Sequence, residues 1–240
     1  MELNIFAPRK ASNENVMVYI HGGNWNSGKK SLYNFLGTRF ARKGIVTVVI
    51  DYPLSPEATY LEMSEASSLA IKWVKENIKK YGGNPDRIFV SGHSAGGHLA
   101  ALISLDDVYF NSLQIPNPVK GIILIDAAGL DMYGYLKGEK FPKDHTYLKT
   151  FTQDSAGWKK ATPLYHLREN MPPMLIYRAE NTYPSIEKSH VKFIKALKAR
   201  DAVYRYQVLK GKKHVTMITQ FFRTWNPRYD EIISFMNTLK

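Results

Sequence analysis

The stretch Gly92-His93-Ser94-Ala95-Gly96 restricts what this chain can fold into more than any other, because of what flanks it. The apolar, β-prone run Ile88-Phe89-Val90 leads straight in, and a run of small and apolar residues, including Ala95, Leu99, Ala100 and Leu102, follows without a loop. Strand, serine, helix is the context in which G-x-S-x-G exposes a hydroxyl on a sharp turn. Glycine at 92 and 96 removes side chains that would collide with the strand and the helix. The Ala95 N–H and the dipole of the helix it opens would then point at any negative charge developing beside Ser94. The plain alternative is a glycine-rich turn with no chemistry, and the pattern alone does not separate the two.

Support comes from upstream. Asn15-Val-Met-Val-Tyr-Ile20 reads as a buried strand, and His21-Gly22-Gly23-Asn24-Trp25 follows it directly. Two glycines after a strand let backbone N–H groups face outward as the donor pair a tetrahedral oxyanion needs. Together with Asp51-Tyr-Pro-Leu-Ser-Pro-Glu57 between them, these motifs resemble the α/β-hydrolase family, in the branch with an H-G-G-x-W oxyanion motif. That branch holds hormone-sensitive-lipase-like carboxylesterases, small carbohydrate and feruloyl esterases, and kynurenine formamidases. The resemblance runs from Leu3 to the last helix and is densest over 15–105. It implies an α/β-hydrolase fold, a mostly parallel central sheet flanked by helices on both faces. It also implies an oxyanion hole from Gly22, Gly23, Asn24 and Ala95. With about 14 residues before the oxyanion strand, the N-terminal cap is expected to be minimal.

Composition narrows the remaining classes. The 240 residues suit one domain over 1–240, 44% hydrophobic and 22% charged. No apolar run approaches the roughly 18 residues of a membrane span, and the opening Met-Glu-Leu-Asn-Ile-Phe lacks a signal-peptide pattern. This implies a cytoplasmic protein as written, with a secreted mature form left open. Zero cysteines exclude disulfides and a thiol nucleophile. The net charge of +12 is scattered in pairs such as Lys29-Lys30 and Lys212-Lys213, with no reading motif for nucleic acid. No H-E-x-x-H, aspartate cluster, Walker loop or dinucleotide fingerprint appears, so neither metal nor cofactor is expected. The expected partner is a small-molecule ester, with the oligomeric state unread.

The periodicity predicts strands at 3–6, 15–20, 45–50, 88–90, 119–125, 173–177 and 203–209, with a polar turn over 9–14. It predicts helices at 31–43, 62–81, after the elbow, at 187–199 and at the end of the chain. Residues 127–172 carry no strong strand but hold Tyr133, Tyr135, Phe141, Tyr147, Phe151 and Trp158, which suits a lid or pocket wall. Asp51 falls where the family keeps a structural aspartate.

A nucleophilic serine needs a base, and histidine has the pKa for it. Of the seven histidines, His214 stands just past the last predicted strand, where the resemblance places the base. The family's acid motif, Gly-x-x-Asp, falls on Ala179-Glu180-Asn181-Thr182, so the aspartate position is Thr182. Glu180 is assigned as the orienting acid; the alternatives are Asp126 or Asp131 after the preceding strand, or no acid at all. The resemblance thus implies a serine esterase acting on short-acyl, aryl or carbohydrate esters through an acyl-enzyme. Ser94, His214 and Glu180 are its expected catalytic residues, and Trp25, Tyr135 and Trp225 a substrate wall. An arylformamidase and a catalytically silent binding protein are the rival readings.

Overall fold

The computed structural model describes residues 2–9 and 14–239; within the turn expected over 9–14, residues 10–13 lie outside the described residues. Seven strands form one sheet in the order β1-β3-β2-β4-β5-β6-β7. They are β1 (Leu3–Phe6), β2 (Val16–Ile20), β3 (Val46–Ile50), β4 (Ile88–His93), β5 (Val119–Ile125), β6 (Met174–Asn181) and β7 (Tyr204–Lys213). Only β1 runs antiparallel, against β3; the other pairings are parallel. Parallel strands buried on both faces read as near-continuous apolar runs, and β2 and β3 are buried throughout.

The side-chain alternation of β2 divides the core. Val16, Val18 and Ile20 face one cluster, and Met17 and Tyr19 the other. On the first face lie α2 (Tyr60–Asn77), α3 (Ala95–Leu105) and α8 (Pro184–Lys198); on the second lie α1 (Asn34–Arg42) and α10 (Arg228–Thr238). Helix α2 starts where Glu62 reaches back to accept the Thr59 N–H at 2.7 Å, a capping box. Helix α3 is buried along its whole length, as expected for a helix whose small residues pack directly on β4 and β5. Among the described residues no helix is long and apolar enough to cross a membrane.

Short helices flank β5 on both sides in the chain. Helix α4 (Val108–Asn111) precedes β5, and α5 (Met132–Gly138), α6 (Thr146–Phe151) and α7 (Ser155–Lys160) follow it. A short α9 (Thr216–Thr219) comes directly after β7. Asp51, at the end of β3, accepts the Lys30 backbone N–H at 2.5 Å and pairs with Lys30 Nζ at 2.9 Å, pinning the approach to α1.

One strand pair differs from expectation. Residues 179–181, expected in a loop, continue β6, pairing Ala179 with Leu209 before a register shift brings Asn181 opposite Lys213. The extension settles where residue 180 can point.

Candidate active site

Ser94 sits between β4 and α3 in left-handed backbone, φ 55° and ψ −122°. A non-glycine residue holds that conformation only when its surroundings enforce it. Here the enforcement is steric: α3 crosses β2 so closely that a Cβ on Gly96 would lie 2.1 Å from the Ile20 carbonyl oxygen. Hydrogen bonds complete the turn. The Ser94 N–H donates to the Ile125 carbonyl at 3.3 Å, and the Ser94 carbonyl accepts from His98 and Ala128 at 3.1 and 3.0 Å.

His214 reaches Ser94 from far along the chain. His214 Nε2 is 2.9 Å from Ser94 Oγ, and His214 Nδ1 is 2.6 Å from Asp126 Oδ2. A carboxylate accepts only, so Nδ1 carries the proton and Nε2 is left to accept from the serine hydroxyl. Asp126 directly follows β5, is fully buried and also has positive φ, 46°. Its carboxylate accepts from the Ala179 N–H at 2.8 Å and the Thr182 hydroxyl at 2.6 Å besides His214. Burial pushes this carboxyl up, but the hydrogen bonds from His214, Thr182 and Ala179 together hold it below the usual carboxylate range.

The expectation for Glu180 is therefore corrected. As part of β6 it points across to β7, where its carboxylate accepts the Gly211 N–H at 2.8 Å. Asp131 is not on His214 either; it caps α5 through the Gly134 N–H at 3.0 Å and pairs with Lys192. The carboxylate on the histidine is Asp126, and the threonine at the family's aspartate position hydrogen-bonds to it.

Around Ser94, His214 and Asp126 the loop after β2 forms one wall. Gly23 has φ +138°, and a Cβ there would meet the Ser27 carbonyl oxygen at 2.0 Å, so the turn requires glycine. The Gly23 carbonyl accepts from Asn26 and Ser27 at 3.1 and 3.0 Å, while the N–H groups of Gly23 and Asn24 donate to no described backbone group. Ala95, first residue of α3, has no intrahelical acceptor for its N–H. Gly22, Gly23 and Asn24 line the same cleft of about 820 Å³ as Ser94 and His214.

Of the three residues expected to form a substrate wall, Tyr135 alone lines that cleft. Trp25 is 2% exposed. Its indole N–H donates to His98 Nδ1 at 3.2 Å, and its ring packs edge-on against Phe151 at 5.0 Å, because the turn after Gly23 swings it inward. Trp225 is 79% exposed and belongs to a separate cleft beside β7, since the chain after α9 leads away from the site. The aromatic rings that do line the cleft with Tyr135 are Tyr33, Tyr147 and Tyr183, whose spacing carries no signal. The Tyr147 hydroxyl donates to Asn24 Oδ1 at 3.0 Å, joining α6 to the turn after β2.

Four further histidines, His21, His93, His98 and His190, are buried. His93 donates from Nε2 to the His214 carbonyl at 3.1 Å, and the two rings lie 4.6 Å apart. Burial first, then the neighbouring His214, lowers the His93 pKa to about 4, so it stays neutral beside His214. His98 and His190 are lowered to about 4 mainly by burial.

Comparison with known proteins agrees with this geometry. The BD-FAE family profile matches residues 3–192. A probable isoprenylcysteine alpha-carbonyl methylesterase of Arabidopsis thaliana is 25% identical over 240 residues, covering 91% of this chain and 49% of that protein. Esterase LipQ of Mycobacterium tuberculosis is 30% identical over 180 residues, 69% of this chain and 41% of that one. The chain thus spans about half the length of the curated relatives it matches. Among solved structures, native Est2 of Thermogutta terrifontis superposes with a TM-score of 0.81 at 22% identity, covering 98% of this chain and 86% of that one. Esterase B of Lactobacillus rhamnosis gives 0.80 at 18% identity, with 99% and 80% covered. At such identities these two structures speak to the fold, which is that of the α/β-hydrolases. With four-fifths of its length inside the profile, the chain belongs to the BD-FAE family, an α/β-hydrolase carboxylesterase family.

Proposed function

We propose that this chain hydrolyses carboxylic esters through an acyl-enzyme on Ser94. The observation that carries the reading is the unbroken relay Ser94 Oγ–His214 Nε2 at 2.9 Å and His214 Nδ1–Asp126 Oδ2 at 2.6 Å, opening on one cleft. Ser94 Oγ attacks the acyl carbonyl carbon while His214 Nε2 takes its proton. Asp126 stays ionised, fixes the tautomer and stabilises the imidazolium that forms. The developing oxyanion is held by N–H groups of the Gly22-Gly23-Asn24 turn together with Ala95. His214 then gives its proton to the departing alcohol, and a water repeats the sequence to free the acid.

The substrate class follows from the cleft. Its walls of Tyr33, Tyr135, Tyr147 and Tyr183 suit short-acyl or aryl esters, including those of carbohydrates. The 127–172 segment supplies Tyr135 and Tyr147 and acts as the pocket wall. Names of relatives, among them methylesterases, an esterase and an arylacetamide deacetylase, favour the same chemistry. The silent-binder reading loses its premise, an absent acid, once Asp126 is on the ring.

A fluorophosphonate probe tests this. Prompt labelling that disappears in Ser94→Ala, with p-nitrophenyl acetate turnover falling by about 10⁶ in kcat, is expected. A folded protein that stays unlabelled, or a label that survives Ser94→Ala, overturns it.

A further inference from the structure

We infer that the rim of the Ser94 cleft and the adjoining edge strand β7 form a docking surface for a lipid bilayer with anionic headgroups. The positive charge of the chain is not evenly distributed. Residues 182–228 carry eleven Lys and Arg against two acids, nine of the twelve net positive charges. Glu187, one of those acids, is spent on Arg178 at 2.6 Å. Among the described residues no carboxylate lies within ion-pair distance of Lys188, Lys210, Lys212, Lys213 or Arg223. Glu180, on the neighbouring strand, is occupied by the Gly211 N–H.

The same region exposes apolar side chains. Tyr183, Val215 and, from the opposite lip, Leu32 line the mouth of the Ser94 cleft while 58–59% exposed. Phe222, 54% exposed, packs at a tilt against Phe35 with ring centroids 4.1 Å apart and extends that rim. Beside it Trp225, 79% exposed, shares a second cleft of about 530 Å³ with Lys210, Lys212 and Arg223.

Apolar tips backed by cations match the layering of an anionic bilayer, where hydrocarbon lies beneath phosphate and carboxylate. Trp, with an apolar body and a polar N–H, suits that boundary. Aliphatic Leu32 and Val215 have no counterpart on a nucleic acid, which recognises bases by stacking and phosphates by charge. Attachment on this side brings the cleft mouth to the surface from which an acyl ester would emerge. Docking and ester chemistry are separate properties, so each can fail without the other.

Sedimentation with vesicles of pure phosphatidylcholine, or with a third of the lipid replaced by phosphatidylserine, tests it on the Ser94→Ala chain. Binding to the anionic vesicles about tenfold or more tighter than to the neutral ones, weakened by salt, is expected. Lys210→Glu with Arg223→Glu should lower that binding about tenfold, and Trp225→Ala should weaken it. The same substitutions on the Ser94 background should leave turnover of dissolved p-nitrophenyl acetate unchanged. No binding, equal binding to both vesicles, or duplex DNA bound as tightly as the anionic vesicles overturns the inference.

Discussion

Ser94 and Asp126 directly follow neighbouring parallel strands, and both have left-handed backbone, φ 55° and 46°. What holds each there is different. The serine turn is fixed by bulk, because backbone packs against backbone so tightly that a Cβ on Gly96 has no room. The aspartate is fixed by three donors, from His214, Ala179 and Thr182, converging on one carboxylate. A sterically defined position cannot move without rebuilding the sheet. An electrostatically defined one can be filled from any strand end that reaches the histidine, and here it is filled from β5 while β6 supplies a supporting hydroxyl.

The hardest test of that contrast is Asp126→Asn, which should lower kcat by about 10⁴ with the histidine held in the wrong tautomer. Glu180→Gln should stay within about twofold, since it loses only an exposed bond to Gly211. If Glu180→Gln is the damaging change, the acid assignment fails. Next, Asp126→Asn combined with Thr182→Asp should recover about 10²-fold of the loss, because the second carboxylate enters from the neighbouring strand. No recovery at all would mean that the acid position is as rigid as the elbow.

Acid should then separate the two regions. The folded pKa of His93, about 4, lies below its unfolded value of about 6.5, so the unfolded chain takes up the proton first as pH falls. Its stabilising contribution is complete above pH ~6.5 and shrinks toward pH 4, by about 2 kcal/mol at pH 5. Asp126, held below the usual carboxylate range, contributes fully above its unfolded pKa of ~3.9 and loses that only at lower pH. Thermal melting at pH 7 and pH 5 should show a smaller drop for His93→Gln than for the unsubstituted chain, and no such change for Asp126→Asn. Among changes to the acid's own hydrogen bonds, the mildest is Thr182→Val. Loss of one charge-assisted hydrogen bond should cost about tenfold in kcat and move the acid limb of the pH–rate profile upward.

Most of the sheet was legible because buried parallel strands read as near-continuous apolar runs, as at 48–50 and 122–125. The elbow was legible for a related reason: close backbone packing leaves glycines at fixed offsets from Ser94. Asp126 has no such mark. Its role depends on β5 and β6 being neighbours, a fact of tertiary pairing, and on β6 running on through Ala179 where family spacing suggested a loop. Trp25 misled for the opposite reason. Its place beside the glycines says that it is near the site but not which way its ring turns, and the turn sends it into the core.

His98 ties this inward-facing ring to the rest. One nitrogen accepts from the Trp25 indole at 3.2 Å, and the other donates to the Ala161 carbonyl at 2.7 Å. A single neutral imidazole, anchored one helical turn beyond the nucleophile, therefore bolts together the oxyanion turn and the segment carrying the tyrosine wall. The two jaws of the cleft are referenced to the same rigid axle, so selectivity here should be tuned by exchanging tyrosines on those jaws, with loop motion contributing little.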